Sequence, residues 1–261
     1  MNMEHKREES RAGSTDKARS AMGHRPLAVF WDMDGTLIDS EPYWHQAEVD
    51  LVREHGGDWN ADMGWQVSGK PLTKVARLMR ERGLDLPEDQ IPDLLIDGVI
   101  AMEERHMPWI EGVRAILTDL VEAGIPSILV TTSPRRMAQA VVAKAPKGAF
   151  ADYVCGDDGL AQKPDPAPYL HAAGLVGINS PDLMASCLAF EDTLTGITSA
   201  VASGATTVAY TGTNPVDTSS GPQFASINSY RGVTLDDLSA LIAKRLGRPG
   251  SLDLQTCLID N

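Results

Sequence analysis

Basic charge is in short supply: 23 Lys and Arg stand against 36 Asp and Glu, a formal charge of -13 over 261 residues. Sequence-independent nucleic-acid binding relies on Lys and Arg to neutralise backbone phosphates, so that class of partner is not expected. Cysteine is scarce as well. Cys155, Cys187 and Cys257 are widely spaced and odd in number, and no C-x-x-C pair is present, which argues against a disulfide framework or a zinc site and for a reducing compartment. Apolar runs long enough to span a bilayer are missing, and the charged N-terminal residues have no apolar stretch behind them, so a cytoplasmic protein with no membrane partner is expected.

What remains is ordinary for a globular chain, with 43% apolar and 23% charged residues. Residues 1–25 mix Lys, Arg, Glu, Ser and Gly without periodicity and read as a disordered tail. From Gly247 onward, Gly, Pro and Ser precede a short Leu-rich end, so 247–261 reads as a C-terminal tail. Between the tails, four apolar runs alternate with helical patterns: Leu27–Trp31, Ser127–Thr131, Cys187–Phe190 and Thr206–Tyr210. Short runs without polar alternation suit strands covered on both faces, which predicts an α/β fold with a doubly wound parallel sheet.

The spacing of Val113, Ile116, Leu117, Leu120 and Val121 predicts a helix ended by Gly124 and Pro126. Another helix is expected from Ser133-Pro134, with serine as N-cap and proline at the first helical position. Residues 43–108 break the alternation with amphipathic helical patterns (Trp44, Ala47, Leu51, Val52; then Val75, Leu78, Met79). That segment reads as a small all-helical domain inserted after the first strand and placed above the sheet's carboxyl edge, with 26–42 and 109–246 forming the core.

The strongest local signal is Trp31-Asp32-Met33-Asp34-Gly35-Thr36-Leu37. Carboxylates two positions apart in extended chain face the same way, and Gly35 permits a tight turn. By itself the run is equally an Asp-rich turn. Thr131, Thr132 and Ser133 close an apolar strand where a helix begins, a place that suits phosphate. Lys163 lies in Gln162-Lys163-Pro164-Asp165-Pro166, where proline rules out a helix interior; a lone lysine is ordinarily solvated. Phe190-Glu191-Asp192-Thr193 ends a further strand with hard oxygen donors that suit Mg²⁺, although adjacent acids are commonly a solvated loop. Asp165 reads as a turn cap.

Taken in order, these four segments resemble motifs I to IV of the haloacid dehalogenase superfamily, and Leu37-Ile38-Asp39-Ser40-Glu41-Pro42 resembles the continuation found in its β-phosphoglucomutase-like subgroup. The resemblance implies a Mg²⁺-dependent phosphohydrolase acting on a small phosphorylated metabolite. Asp32 would be the nucleophile, and Asp34 the acid and then the base. Thr131 and Thr132 would bind the phosphoryl group, with Ser133 mainly a helix cap. Lys163 would offset negative charge, and Asp32, the Asp34 carbonyl, Glu191 and Asp192 would make up the metal site. An acidic chain handling phosphate needs such local positive charge.

In the insert, Glu41, Trp44 and Lys70 are the candidate substrate contacts. Trp44 stands where a β-phosphoglucomutase carries a cap-closing histidine, and Val67-Ser68-Gly69-Lys70-Pro71 where it carries a Gly and Arg sequence. Both departures favour hydrolysis over the mutase alternative. His45 is displaced by one position and is expected to point elsewhere on its helix. The insert looks like that of bacterial sugar-phosphate, hexitol-phosphate and 2-deoxyglucose-6-phosphate phosphatases. A catalytically silent binding protein is the remaining alternative. A monomer is expected, with a dimer the other option, and the loop at 211–222 has no assigned role.

Overall fold

The computed structural model describes residues 25–213, 220–247 and 258–259. Nearly all of the expected N-terminal tail, the middle of the 211–222 loop, most of the C-terminal stretch and Cys257 lie outside those residues. Seven strands form one sheet: β1 (Val29–Trp31), β2 (Ser127–Val130), β3 (Asp152–Val154), β4 (Leu188–Glu191), β5 (Thr206–Tyr210), β6 (Ala225–Ile227) and β7 (Leu258–Ile259). Their order is β3-β2-β1-β4-β5-β6-β7. The first six run parallel and β7 joins β6 antiparallel, an edge pairing in a stretch that the sequence placed in a tail.

Ten helices accompany these strands among the described residues: α1 (Glu41–His55), α2 (Ala61–Val67), α3 (Leu72–Glu81), α4 (Ile91–Arg105), α5 (Val113–Glu122), α6 (Arg135–Lys144), α7 (Ala167–Leu175), α8 (Pro181–Met184), α9 (Leu194–Ala202) and α10 (Leu235–Arg245). The sheet is covered on both faces because side chains alternate along each strand. Val29, Trp31, Leu129, Leu188, Phe190 and Val208 enter one apolar cluster with residues of α5, α6 and α10. Ala28, Phe30, Ile128, Val130 and Ala189 enter a second with residues of α7, α8 and α9.

Helices α1 to α4 follow one another between β1 and α5, with no strand among them. Their apolar stripes point inward: Ala47, Leu51 and Val52 of α1, Val75 and Met79 of α3, and Leu95 and Val99 of α4 are all buried. Val121 departs from the expected stripe of α5, being 38% exposed at the helix's last turn.

Strand order reverses at β1, which lies between β2 and β4. Ligands in open α/β sheets bind beyond the carboxyl ends of strands at such a point. Trp31 and Phe190, the register partners of β1 and β4, stack with ring centroids 4.5 Å apart at 11°. Their contact is worth about 0.5–1.5 kcal/mol beyond buried area. The ladder continues one residue further, where the Asp32 amide donates to the Phe190 carbonyl at 3.0 Å. This apolar pair therefore fixes where the next residues, Asp32 and Glu191, emerge.

Candidate active site

Asp32 follows β1, Thr131 follows β2, and Glu191 and Asp192 stand at the end of β4. Ligand atoms of Asp32, Glu191 and Asp192 lie within 4.8 Å of one another, and all three residues are buried. Lys163, from the loop before α7, enters the same space with its side chain only 3% exposed. Its ammonium donates to Asp32 Oδ1 at 2.7 Å, to Glu191 Oε1 at 2.5 Å and to the Val130 carbonyl at 2.9 Å. All three N–H donors of the ammonium are thus used. Burial alone would lower its pKa, but the charges of Asp32 and Glu191 outweigh that and hold the group above its ordinary value, so Lys163 is cationic.

Glu191 Oε1 also accepts from the Tyr169 hydroxyl at 2.5 Å, whereas Oε2 is buried with no hydrogen-bond partner among the described residues. The first turn of α9 presses on this carboxylate: Thr193 caps the helix by accepting from the Gly196 amide at 3.1 Å, and a Cβ on Gly196 would fall 1.9 Å from Glu191 Oε2. Glycine is likewise required at position 35. Its φ is +79°, and a Cβ there would meet Asp192 Oδ2 at 2.3 Å. The turn after β1 can approach Asp192 only without a side chain. From the same turn, Thr36 Oγ1 donates to Asp192 Oδ1 at 3.2 Å.

Hard oxygen donors crowded beside an orphaned buried carboxylate oxygen fit a divalent cation in chemistry and in charge. Asp34 is not part of that cluster through its carboxylate. It is half-buried and faces two hydroxyls: Ser40 donates to Oδ1 at 2.5 Å and Ser133 to Oδ2 at 2.6 Å. Loss of water raises its carboxyl above the ordinary range; the two serines pull it down, and the charges of Asp32 and Glu41 push it up again, leaving a net rise. Asp32 and Asp34 therefore sit in different environments two residues apart.

Ser133 departs from its expected role as a cap. Helix α6 starts at Arg135 with Pro134 in the cap position, because the serine hydroxyl is committed to Asp34, and the Ser133 amide donates to Thr131 Oγ1 at 3.0 Å. Ser40 shows the same diversion: it precedes α1 yet makes no side-chain cap, its hydroxyl being on Asp34. Thr131 is buried at the end of β2, while Thr132 is exposed, its carbonyl backed by Gly156. Asp165 accepts from the Ala167 amide at 2.8 Å, as a turn cap does.

A family model for haloacid dehalogenase-like hydrolases matches residues 26–204. The chain belongs to this family. It is 28% identical over 232 residues to hexitol phosphatase B of Escherichia coli O157:H7, covering 84% of this chain and 96% of that protein. It is 26% identical over 185 residues to 6-phosphogluconate phosphatase of Escherichia coli K12, covering 68% and 79%. In fold it is similar to the crystal structure of β-phosphoglucomutase from Clostridium difficile, with a TM-score of 0.65 at 14% identity over 85% of this chain and 100% of that one. With relatives of this kind the hydrolase is an enzyme of the phosphoric monoester class.

Within the insert of this haloacid dehalogenase-like hydrolase, the candidate contacts are placed unevenly. Glu41 opens α1 directly after Ser40, and its side chain is 35% exposed. Trp44 is half-buried and packs on the main apolar cluster. Lys70 is exposed and donates to the Gln66 carbonyl at 2.5 Å. His45 is buried, with Nε2 at 3.2 Å from both Glu41 Oε1 and Ser68 Oγ. Sequence reasoning passed over Ser40, Thr36 and Tyr169. A signal existed for the first two, since Thr36 lies in the first motif and Ser40 in its continuation, but none for Tyr169. Among the described residues no helix is long and apolar enough to cross a membrane.

Proposed function

We propose that this hydrolase is a Mg²⁺-dependent phosphatase of small sugar or polyol phosphates, working through an aspartyl-phosphate on Asp32. The observation that carries the reading is the meeting of Asp32, Lys163, Glu191 and Asp192, drawn from three separate loops, at the strand-order reversal. Relatives named for hexitol phosphate and 6-phosphogluconate point to the substrate class.

Asp32 attacks phosphorus as a carboxylate and needs no general base at neutral pH. Lys163 holds the Oδ1 side of that carboxylate and leaves its other oxygen to react. Asp34, with its raised pKa, gives a proton to the departing alkoxide and then takes one from the water that cleaves the acyl phosphate. Ser40 and Ser133 keep its two oxygens oriented through both halves. Thr131 and the amides at the start of α6 receive the phosphoryl oxygens, with Thr132 beside them. Asp32 and Asp192, with the Asp34 carbonyl and Glu191 beside them, would hold Mg²⁺, which when bound neutralises charge between nucleophile and phosphate. Helices α1 to α4, the inserted segment, act as the lid that excludes water and presents Glu41, Trp44 and Lys70 to the leaving group.

Inorganic phosphate release from a panel of sugar and polyol phosphates, with Mg²⁺ and with chelator, tests this directly. Turnover is expected only with the metal, and Asp32→Asn is expected to abolish it with the fold intact. Isomerisation of a hexose phosphate without net release would instead favour a mutase, and substantial hydrolysis by the Asp32→Asn variant would refute the nucleophile.

A further inference from the structure

A polar line runs from Asp34 into the inserted helices. Ser40 fixes the start of α1 on Asp34, and Glu41 is the next residue. One turn later, the buried His45 brings Nε2 to 3.2 Å from Glu41 Oε1 and 3.2 Å from Ser68 Oγ. Nε2 is hydrogen-bonded to the Ser68 hydroxyl and lies within ion-pair distance of Glu41 Oε1, where a ring N–H can face a carboxylate that offers only lone pairs. The ring has little room to turn. Trp65 packs edge-on against it with centroids 4.3 Å apart, and a Cβ on Gly64 would lie 2.7 Å from His45 Cδ2 and 2.7 Å from Glu48 Oε2. Glu48 is itself anchored by the Trp59 indole at 2.9 Å.

His45 is thus a closely packed ring, with its side chain 6% exposed, set against a carboxylate 35% exposed. Glu41 is tethered next to the acid/base residue, since Ser40 immediately before it donates to Asp34 Oδ1 at 2.5 Å. Lys70 and Arg136 are held by other partners, Lys70 by the Gln66 carbonyl and Arg136 by Asp93 and Asp97. A fixed anion beside Asp34 accepts hydrogen bonds from hydroxyls and repels a second anionic group.

We propose that His45 is a positioning residue which fixes Glu41 as a specificity determinant. Glu41 accepts a hydroxyl of the leaving group and selects neutral polyol phosphates over esters bearing a carboxylate or second phosphate. This rests on the phosphatase reading, because Asp34 must face the leaving group for Glu41 to do so.

The test compares kcat and KM of wild type, Glu41→Gln, His45→Ala and His45→Gln on a hexitol 6-phosphate, 6-phosphogluconate and p-nitrophenyl phosphate. Wild type is expected to favour the hexitol ester over the gluconate. Glu41→Gln and His45→Ala should each lower the hexitol to p-nitrophenyl ratio of kcat/KM about tenfold, mainly through KM. His45→Gln, which keeps an N–H donor, should recover most of that ratio, and the pair of changes should cost no more than one. Equal proportional losses on the hexitol ester and p-nitrophenyl phosphate, a wild-type preference for the gluconate, or no change in the ratio would each overturn the proposal. If wild type hydrolyses none of the three, the phosphatase reading fails on its own. Calorimetric binding of the hexitol ester then decides the proposal: weaker binding by both single variants supports it, and equal or absent binding overturns it.

Discussion

Ser133 donates its hydroxyl to Asp34 Oδ2 at 2.6 Å, across 99 residues of sequence. The bond ties the strand end that carries Thr131 to the turn that carries Asp34, so in the proposed mechanism one contact sets both phosphate position and proton position. A hydrogen bond to a group that is charged for part of the cycle contributes about 1.5–3 kcal/mol. Ser133→Ala is expected to lower kcat about tenfold or more, with a much smaller change in KM, and Ser133→Thr to retain most activity. Steady-state kinetics on p-nitrophenyl phosphate checks this, and an unchanged kcat would show that Asp34 keeps its place without the serine.

Lys163 is buried between Asp32 and Glu191, and removing it leaves two carboxylates facing each other out of water. Breaking a buried pair by deleting one partner costs about 3–5 kcal/mol. For a domain of this size that lowers the melting temperature by on the order of 10 °C. Lys163→Met is therefore expected to melt lower in chelator and to regain part of the loss in excess Mg²⁺, since a cation at the neighbouring carboxylates screens the same repulsion. Calorimetric melts in the two buffers provide the measurement; an unshifted melt in chelator would mean that the pair contributes nothing.

The strands that carry the site were legible for one physical reason. β1, β2, β4 and β5 are covered on both faces, so each is a fully buried run with apolar residues on consecutive positions. β3 and β6 were not found. They are three-residue strands toward the sheet's flanks, and Asp152 and Tyr153 of β3 are not buried, so neither a run nor an alternation marks them. Asp32, Lys163, Glu191 and Asp192 stood out because each sits in a local pattern at a strand end or beside a proline. Ser133 was read as a helix cap because the local rules for Ser-Pro before a helix are satisfied; what diverts it is an acceptor from the first motif, and no local pattern encodes that meeting. Tyr169 is harder still, since a tyrosine inside α7 gives no sign that its hydroxyl ends on Glu191.

Gly35 carries a positive φ, and a Cβ there would overlap Asp192 Oδ2. Gly35→Ala must move either the turn or the carboxylate, with strain of about 1–3 kcal/mol. Displacing a group that buttresses a metal site costs roughly 10–100-fold in affinity. The Mg²⁺ concentration for half-maximal activity is thus expected to rise at least about tenfold in Gly35→Ala. A metal titration of initial rates reads this, and an unaltered half-saturation point would remove Asp192 from the metal site.

Glu103 presents the converse situation, a titratable group with nothing to hold. It lies on α4 with 0% exposure, one and two turns beyond Val99 and Leu95 on the buried stripe, and neither carboxylate oxygen has a hydrogen-bond partner among the described residues. Burial, aided by the charge of Asp34, pushes its carboxyl from 4.5 up to about 8. The folded protein therefore keeps this proton where the unfolded chain has released it. Between those two values folding takes up a proton, so the stability from this group is complete below pH 4.5 and is lost as pH rises through 8. The shift corresponds to a few kcal/mol, on the order of 3–5. Glu103→Gln keeps the shape and cannot ionise, so its stability relative to wild type should improve by that order between pH 5 and pH 8.5. Urea unfolding of both proteins at the two pH values isolates the residue, because Glu48, which burial raises to about 7, and every other titrating group are common to both. A stability difference that stays constant with pH would show that Glu103 is ionised in the folded state and has found a partner for its charge.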